Sequence, residues 1–367
     1  MPETARKVQP APDDPACIRP LEEAGLFRNP WAGVPIHPDL RNSPLKRGGK
    51  HIPYTVEELK WLQPVLEPIF FHEGDKDGVL RATWLGHASA LLYMEGLTIL
   101  FDPVLVEKVE QPTSPDHPIY RMRRPPCFVE EIPKLDAVVI SHNHPSHLDV
   151  DTCANIVAHF GPTVPFFVPV GVGDVLRAES GVTNITEMSW WEETWVKKDH
   201  PASIVCLPAQ HWSMRSVDDV NKSLWASWAV IGDRYKAIHI GDSGYNSVFK
   251  TIGNRYGPFD LALIPIGGYV PRDTLRFWKL NPADAVQVHK DLQAVQSIGI
   301  NWATWFNGLG ASEHYMEPQA TLREEGEKAG LTDQYRRVMD FITMWLGQTW
   351  SSEKHGLDGL LMSNPTD

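Results

Sequence analysis

V-V-I-S-H-N-H-P-S-H-L-D, residues 138–149, is the stretch on which the reading of this chain turns. Its front, within Leu135-Asp-Ala-Val-Val-Ile140, is apolar enough for a strand buried on both faces. Its back holds three histidines, His142, His144 and His147, at i, i+2 and i+5. His142 and His144 alternate about Asn143, so both can point to one side, and His147 approaches from the next turn. A strand end presents ligands with little loss of order. One histidine here would read as a core or surface residue. Three in six residues at a strand end point to a metal. Ser146 stands inside the run, where a two-metal site would want a carboxylate.

Two more segments have the same form. S-I-V-C-L-P-A-Q-H-W is a strand running to His211, and K-A-I-H-I-G-D-S-G-Y is a strand running to Asp242. A strand ending in Gly-Asp is, alone, a simple turn. Beside the histidine loop, Asp242 becomes an anionic ligand able to bridge metals.

Outward from these pieces, residues 79–105 read as three short strands with a tight turn at Glu95-Gly96. Further strands are expected at PFFVP, SLWASWAVIG and LALIPIG. Helices are expected at DVDTCANIVAHF and NPADAVQVHKDLQAVQSIG, the latter with Asn281 as N-cap and Pro282 in the first turn. After residue 310 two more helices are expected, HYMEPQATLREEGEKAG and TDQYRRVMDFITMWLGQTW. The last places Tyr335, Val338, Met339, Ile342 and Leu346 on one face, a stripe read as packing rather than membrane contact. Strands flanked by helices give a layered α/β sandwich. No internal sequence repeat is visible.

The 367 residues suffice for a substantial core. Residues 1–53 hold ten of the 31 prolines and read as an extended N-terminal arm. Thr55-Val-Glu-Glu58 is a capping box opening the body. The expected organisation is therefore an arm over 1–53, one domain over 54–350 and a tail over 351–367. A net charge of −12 argues against a nucleic-acid partner. Arg121-Met-Arg-Arg124 is a local basic patch, read as a solvated loop. Cys17, Cys127, Cys153 and Cys206 are scattered and suggest reduced thiols in a cytosolic protein. The first residues lack the apolar core of a signal peptide, and no run of 18 apolar residues occurs. Membrane contact is expected to be peripheral.

TWLGHAS, RRPPC, AVVISHNH, HLD, WWEE, QHW, DDVNKSLWASW, GDSGY, GPFDLALIPIG and EHYMEP follow one another in this order. Over about residues 55–330 the chain thereby resembles the metallo-β-lactamase superfamily, in the branch of the N-acylphosphatidylethanolamine-hydrolysing phospholipases D. The resemblance implies the four-layer αβ/βα sandwich. It implies that His142, His144 and His211 hold a first zinc, that Asp242 bridges to a second, and that His147 binds the second. It also implies a substrate-side role for His314. Related enzymes assemble as dimers, so the resemblance extends to a homodimer, although no segment specifies one.

Four positions depart from the family pattern. Ser146 replaces the motif aspartate and Asn301 a histidine, both ligands of the second metal. Pro145 replaces a tyrosine, and Leu280 stands where the family has a substrate-side histidine. Only His147 and the shared Asp242 remain for the second ion, so one zinc is expected, with the second weak or absent. The implied function is hydrolysis of N-acylphosphatidylethanolamine to N-acylethanolamine and phosphatidic acid at a membrane surface, with Asp242 and His314 as catalytic residues. The alternatives are an inactive paralogue retaining one metal and a lipid pocket, or a metallo-hydrolase of another ester.

Overall fold

The computed structural model describes residues 9, 11–37, 55–71, 78–110, 118–306, 313–332, 340–361 and 363–365. Its frame is a pair of seven-stranded sheets. The first contains β1 (Leu80–Gly86), β2 (Ser89–Met94), β3 (Leu97–Phe101), β4 (Ala137–Val139), β5 (Phe166–Pro169) and β6 (Ile185–Met188). The second contains β7 (Glu193–Trp195), β8 (Ser203–Leu207), β9 (Ser227–Ile231), β10 (Lys236–His239), β11 (Leu261–Pro265), β12 (Gln296–Ile300) and β13 (Phe341–Thr343). A last strand, β14 (Thr349–Ser351), returns to the first sheet beside β1.

The two sheets have the same pairing pattern. From the β14 edge, the first runs through three antiparallel pairings, β14-β1-β2-β3, and three parallel ones, β3-β4-β5-β6. From the β7 edge, the second does likewise, β7-β8-β9-β10 and then β10-β11-β12-β13. The pseudo-twofold is therefore in the pairing, where no sequence repeat announces it.

Alternation along each strand builds the layers. In β3, Ile99 and Phe101 face the second sheet, sharing a core with Trp228, Ile238 and Ile264, while Leu100 faces outward. The first helix, α1 (Val56–Leu62), precedes both sheets in the chain, and that outer face is covered by α2 (Val150–Phe160) and α3 (Gly173–Glu179) through Cys153, Ile156 and Leu176. The second sheet is covered by α4 (Val248–Tyr256), α5 (Pro282–Asp291) and α6 (Glu317–Ala329) through Phe249, Val288 and Leu322. Helix, sheet, sheet, helix make the four layers.

The turns are set by local chemistry. Glu95 and Gly96 both take positive φ, as a two-residue hairpin turn needs. The Glu95 carboxylate accepts from the amides of Asp233, Arg234 and Tyr235, tying this turn to the β9–β10 turn of the other sheet. Asp149 caps α2 by accepting from Thr152 N, and Asn281 caps α5 by accepting from Asp284 N.

Three sequence expectations are corrected. The helix expected to run from Asn281 to Gly299 stops at Asp291, and β12 follows it into the sheet. The helix expected over 332–350 is not formed in its described part: Ile342 lies in β13, and Leu346 precedes β14. Tyr335, Val338 and Met339 lie outside the described residues. In both cases apolar residues spaced three or four apart are buried by a short strand between parallel neighbours or at a sheet edge. The basic patch is solvated only at Arg124. Arg121 and Arg123 are buried, and the Arg121 guanidinium donates to Leu85 O at 3.2 Å and Val104 O at 2.6 Å. Burial pulls Arg121 down to about 10.

Both ends of the described chain lie on the body. A ribbon of Leu21–Glu23 and Leu26–Arg28 buries Phe27, and Ile18 O accepts from the Trp191 indole. Trp350 is buried over the turn at Gly356–Gly359. All four cysteines are free and buried. Among the described residues no helix is long and apolar enough to cross a membrane.

Candidate metal centre

Each ligand candidate follows a buried strand that cannot shift without disturbing the core. β4 leads to His142, His144 and His147; β8 leads to His211; β10 leads to Asp242; β12 leads to Asn301. Gly241 lets β10 approach the histidine loop. Its φ is +66°, and a Cβ there would stand 2.5 Å from the Ser141 Cβ, so only glycine fits without strain. From outside, Arg215 donates to Asn143 O at 3.2 Å and Leu148 O at 2.7 Å, fixing the loop that carries the histidines.

Four side chains converge. His142 Nε2 and His144 Nδ1 are 2.7 Å apart, and His211 Nε2 is 3.4 Å from His144 Nδ1. Asp242 Oδ2 is 3.5 Å from His211 Nε2 and 3.9 Å from His142 Nε2. The donor atoms of these four residues all lie within 4.8 Å of one another. A tetrahedral zinc with bonds of about 2.0–2.1 Å sets its ligands about 3.3 Å apart, so the donor set suits one such ion.

The electrostatics agree. Burial, then the neighbouring histidines, hold His142 and His144 well below the ordinary histidine range. Burial brings His211 down to about 3. All three are thus neutral imidazoles, the form that ligates metal. Burial opposes ionisation of Asp242, but Lys279 and His147 outweigh it and hold the carboxyl well below its usual range. The ring nitrogens are also assigned. His211 Nδ1 donates to Trp278 O at 3.0 Å, which leaves Nε2 free for a metal. Ser141 Oγ meets His142 Nδ1 at 2.9 Å, with the same result.

Behind this set lies Asp102, at the end of β3. It accepts from Ser141 N at 2.6 Å and Ser141 Oγ at 2.7 Å, and it meets His147 Nδ1 at 2.7 Å. His147 Nε2 is in turn 3.2 Å from Asp242 Oδ2. Burial disfavours its protonation, but Asp242 and Asp102 together raise it to about 9. His147 therefore bridges two carboxylates and stands outside the four-residue cluster. Asp102 escaped the sequence reading because Asp-Pro after a strand reads as a turn. The available signal was its likeness to Asp242, another aspartate closing an apolar strand.

The remaining candidates separate. Ser146 is buried beside His147 and brings no charge. Asn301 donates from Nδ2 to Asp242 Oδ1, so its amide faces the carboxylate as a donor and not as a ligand. Pro145 is half-buried in the histidine loop. Leu280, expected at the substrate side, is fully buried in the core. The adjacent Lys279 enters the site instead, with Nζ 2.5 Å from Asp242 Oδ2. His87 is a further group the sequence reading passed over. It is buried with Nε2 unpartnered, its ring 4.9 Å from that of His147. His314 sits at the start of α6, where Nδ1 accepts from Met316 N at 3.3 Å.

Residues 98–302 match the beta-lactamase superfamily domain. Over 357 residues the chain is 36% identical to N-acyl-phosphatidylethanolamine-hydrolyzing phospholipase D 1 of Caenorhabditis elegans, covering 94% of this chain and 97% of that protein. It is 34% identical over 287 residues to the mitochondrial N-acyl-phosphatidylethanolamine-hydrolyzing phospholipase D of Saccharomyces cerevisiae, covering 77% of this chain and 56% of the yeast protein. The fold matches that of an isothiocyanate hydrolase from Delia radicum gut bacteria, with a TM-score of 0.56 at 19% identity over 73% of this chain and 98% of that one. With the sandwich, the clustered imidazoles and near full-length similarity in hand, the chain belongs to the metallo-β-lactamase superfamily of hydrolases, in the branch of the N-acylphosphatidylethanolamine-hydrolysing phospholipases D.

Proposed function

We propose that this chain is a zinc-dependent phosphodiesterase of the phospholipase D type. Its substrate would be N-acylphosphatidylethanolamine, cleaved at a membrane surface to N-acylethanolamine and phosphatidic acid. The single observation that carries the reading is the convergence of His142, His144, His211 and Asp242 around one ion-sized space. The relatives named above supply the substrate class.

Bound there, zinc supplies a Lewis acid and activates water near neutral pH. The chain's own residues do the rest. Three neutral imidazoles offer lone pairs, and Asp242 adds the anionic ligand. Ser141, held by Asp102, and Trp278 O fix which nitrogens face inward. Asp242 also orients the attacking water, and His314 serves the substrate side. On this reading the enzyme works peripherally on internal membranes, because its substrate lies in a lipid surface.

A second reading has its own support. Asn301 offers Asp242 a donor where a second ion would need a ligand, and Ser146 brings no carboxylate. An inactive paralogue retaining one metal would look the same. The test is hydrolysis of N-acylphosphatidylethanolamine vesicles by the wild type, by His211→Ala and by Ser146→Asp/Asn301→His. Robust wild-type turnover lost in His211→Ala supports the enzyme. Turnover only in the double variant supports the inactive paralogue and rejects the first reading.

A further inference from the structure

We infer that the Lys279 ammonium stands in for the second metal ion: the centre takes one divalent cation, and a fixed side-chain charge occupies the place and role of the other. The inference rests on the metal-centre reading but not on the identity of the lipid.

Three observations carry it. First, both oxygens of Asp242 already have protein donors. Lys279 Nζ meets Oδ2 at 2.5 Å, and Asn301 Nδ2 meets Oδ1. Oδ2 faces the imidazoles of the first site, and Oδ1, the other oxygen, is capped by an amide N–H. Second, two of the ligands that the family pattern gives to another cation are replaced, by Ser146 and Asn301. Ser146 is neutral, and His147 has Nδ1 taken by Asp102, which leaves only Nε2, 3.2 Å from Asp242 Oδ2. Third, the lysine is held in place. Trp278, its neighbour, is buried and gives its carbonyl to His211, and Leu280 on its other side is buried in the core. Lys279 thus leaves the backbone between two fixed points, with its side chain largely enclosed.

The charge logic is simple. A second buried divalent ion would add its charge to those of the first ion and the ammonium around one carboxylate, so lysine and second metal exclude one another. An ammonium is also a compact donor suited to the oxygens of a phosphoryl group, which a second metal would otherwise clamp. One zinc and one lysine would therefore present an anionic substrate with two positive points.

Metal content and anion binding test this without an activity assay. Zinc per chain is measured by elemental analysis after equilibration with excess zinc and gel filtration, for wild type, Ser146→Asp/Asn301→His, and the same pair with Lys279→Met. One, one and two equivalents are expected, with the second site at least about tenfold tighter once the ammonium is gone. Two equivalents in the wild type, or in the pair with Lys279 intact, would overturn the inference while leaving the metal centre standing. Zero in the wild type would overturn both. A triple variant still at one equivalent would also overturn the inference. Calorimetric titration of the zinc-loaded wild type with inorganic phosphate supplies the second arm. Lys279→Met is expected to weaken phosphate about tenfold or more, and Lys279→Arg to retain it within about threefold. Equal phosphate affinity in wild type and Lys279→Met, or none in the wild type, would overturn the role assigned to the charge.

Discussion

Asp102 and Asp242 occupy matching places in the two sheets. Each follows the strand at which its sheet passes from antiparallel to parallel pairing, β3 in the first and β10 in the second. The two carboxylates nevertheless have different surroundings. Asp102 is met by Ser141 N, Ser141 Oγ and His147 Nδ1, so it is held by fixed hydrogen-bonding groups. Asp242 is met by three imidazole nitrogens, an ammonium and an amide, so it is placed to share a cation. Repeating the topology supplied two acids, and the side chains around each decided which orients and which binds.

Four substitutions probe that difference. Asp242→Ala removes the anionic ligand and is expected to cost more than about 100-fold in zinc affinity, measured by chelator competition. Asp102→Asn leaves the four ligands in place but loosens His147 and Ser141; a loss of about 10- to 100-fold is expected in the same assay. Should Asp102→Asn cost as much as Asp242→Ala, the division of labour is wrong. Gly241→Ala forces a positive-φ alanine against Ser141 and is expected to destabilise the fold by about 1–3 kcal/mol in chemical denaturation, with weaker zinc binding. Glu95→Ala cuts the tie between the two hairpin turns far from the centre. It is expected to cost about 1 kcal/mol with zinc affinity unchanged.

Much of this was legible because ligands sit where apolar strands end. Three strands pointing at His142, Asp242 and His211 could be read from composition alone, since a run such as V-V-I before a polar cluster has few other uses. What was not legible has physical causes. The segments at 296–300 and 341–343 have apolar spacings that serve either a helix or a short buried strand, and only their parallel partners decide. Lys279 and Leu280 are adjacent, and sequence does not say which of two neighbours faces a crevice; the core took the leucine and left the lysine to the site. The role of Asn301 depended on its contact with Asp242, formed by residues 59 positions apart.

Asn29, in the N-terminal segment, donates to the backbone carbonyl of His211 at 2.8 Å, across 182 positions of sequence. Asn221 likewise donates to Ile36 O and gives its own carbonyl to Phe27 N. The segment around 18–36 therefore precedes its own seat in the chain, since its partners lie at 191–221. Its seat is complete only with those later residues in place, and in the folded chain it closes over the loop that carries a ligand. Order of manufacture and order of assembly run opposite ways at this end of the molecule.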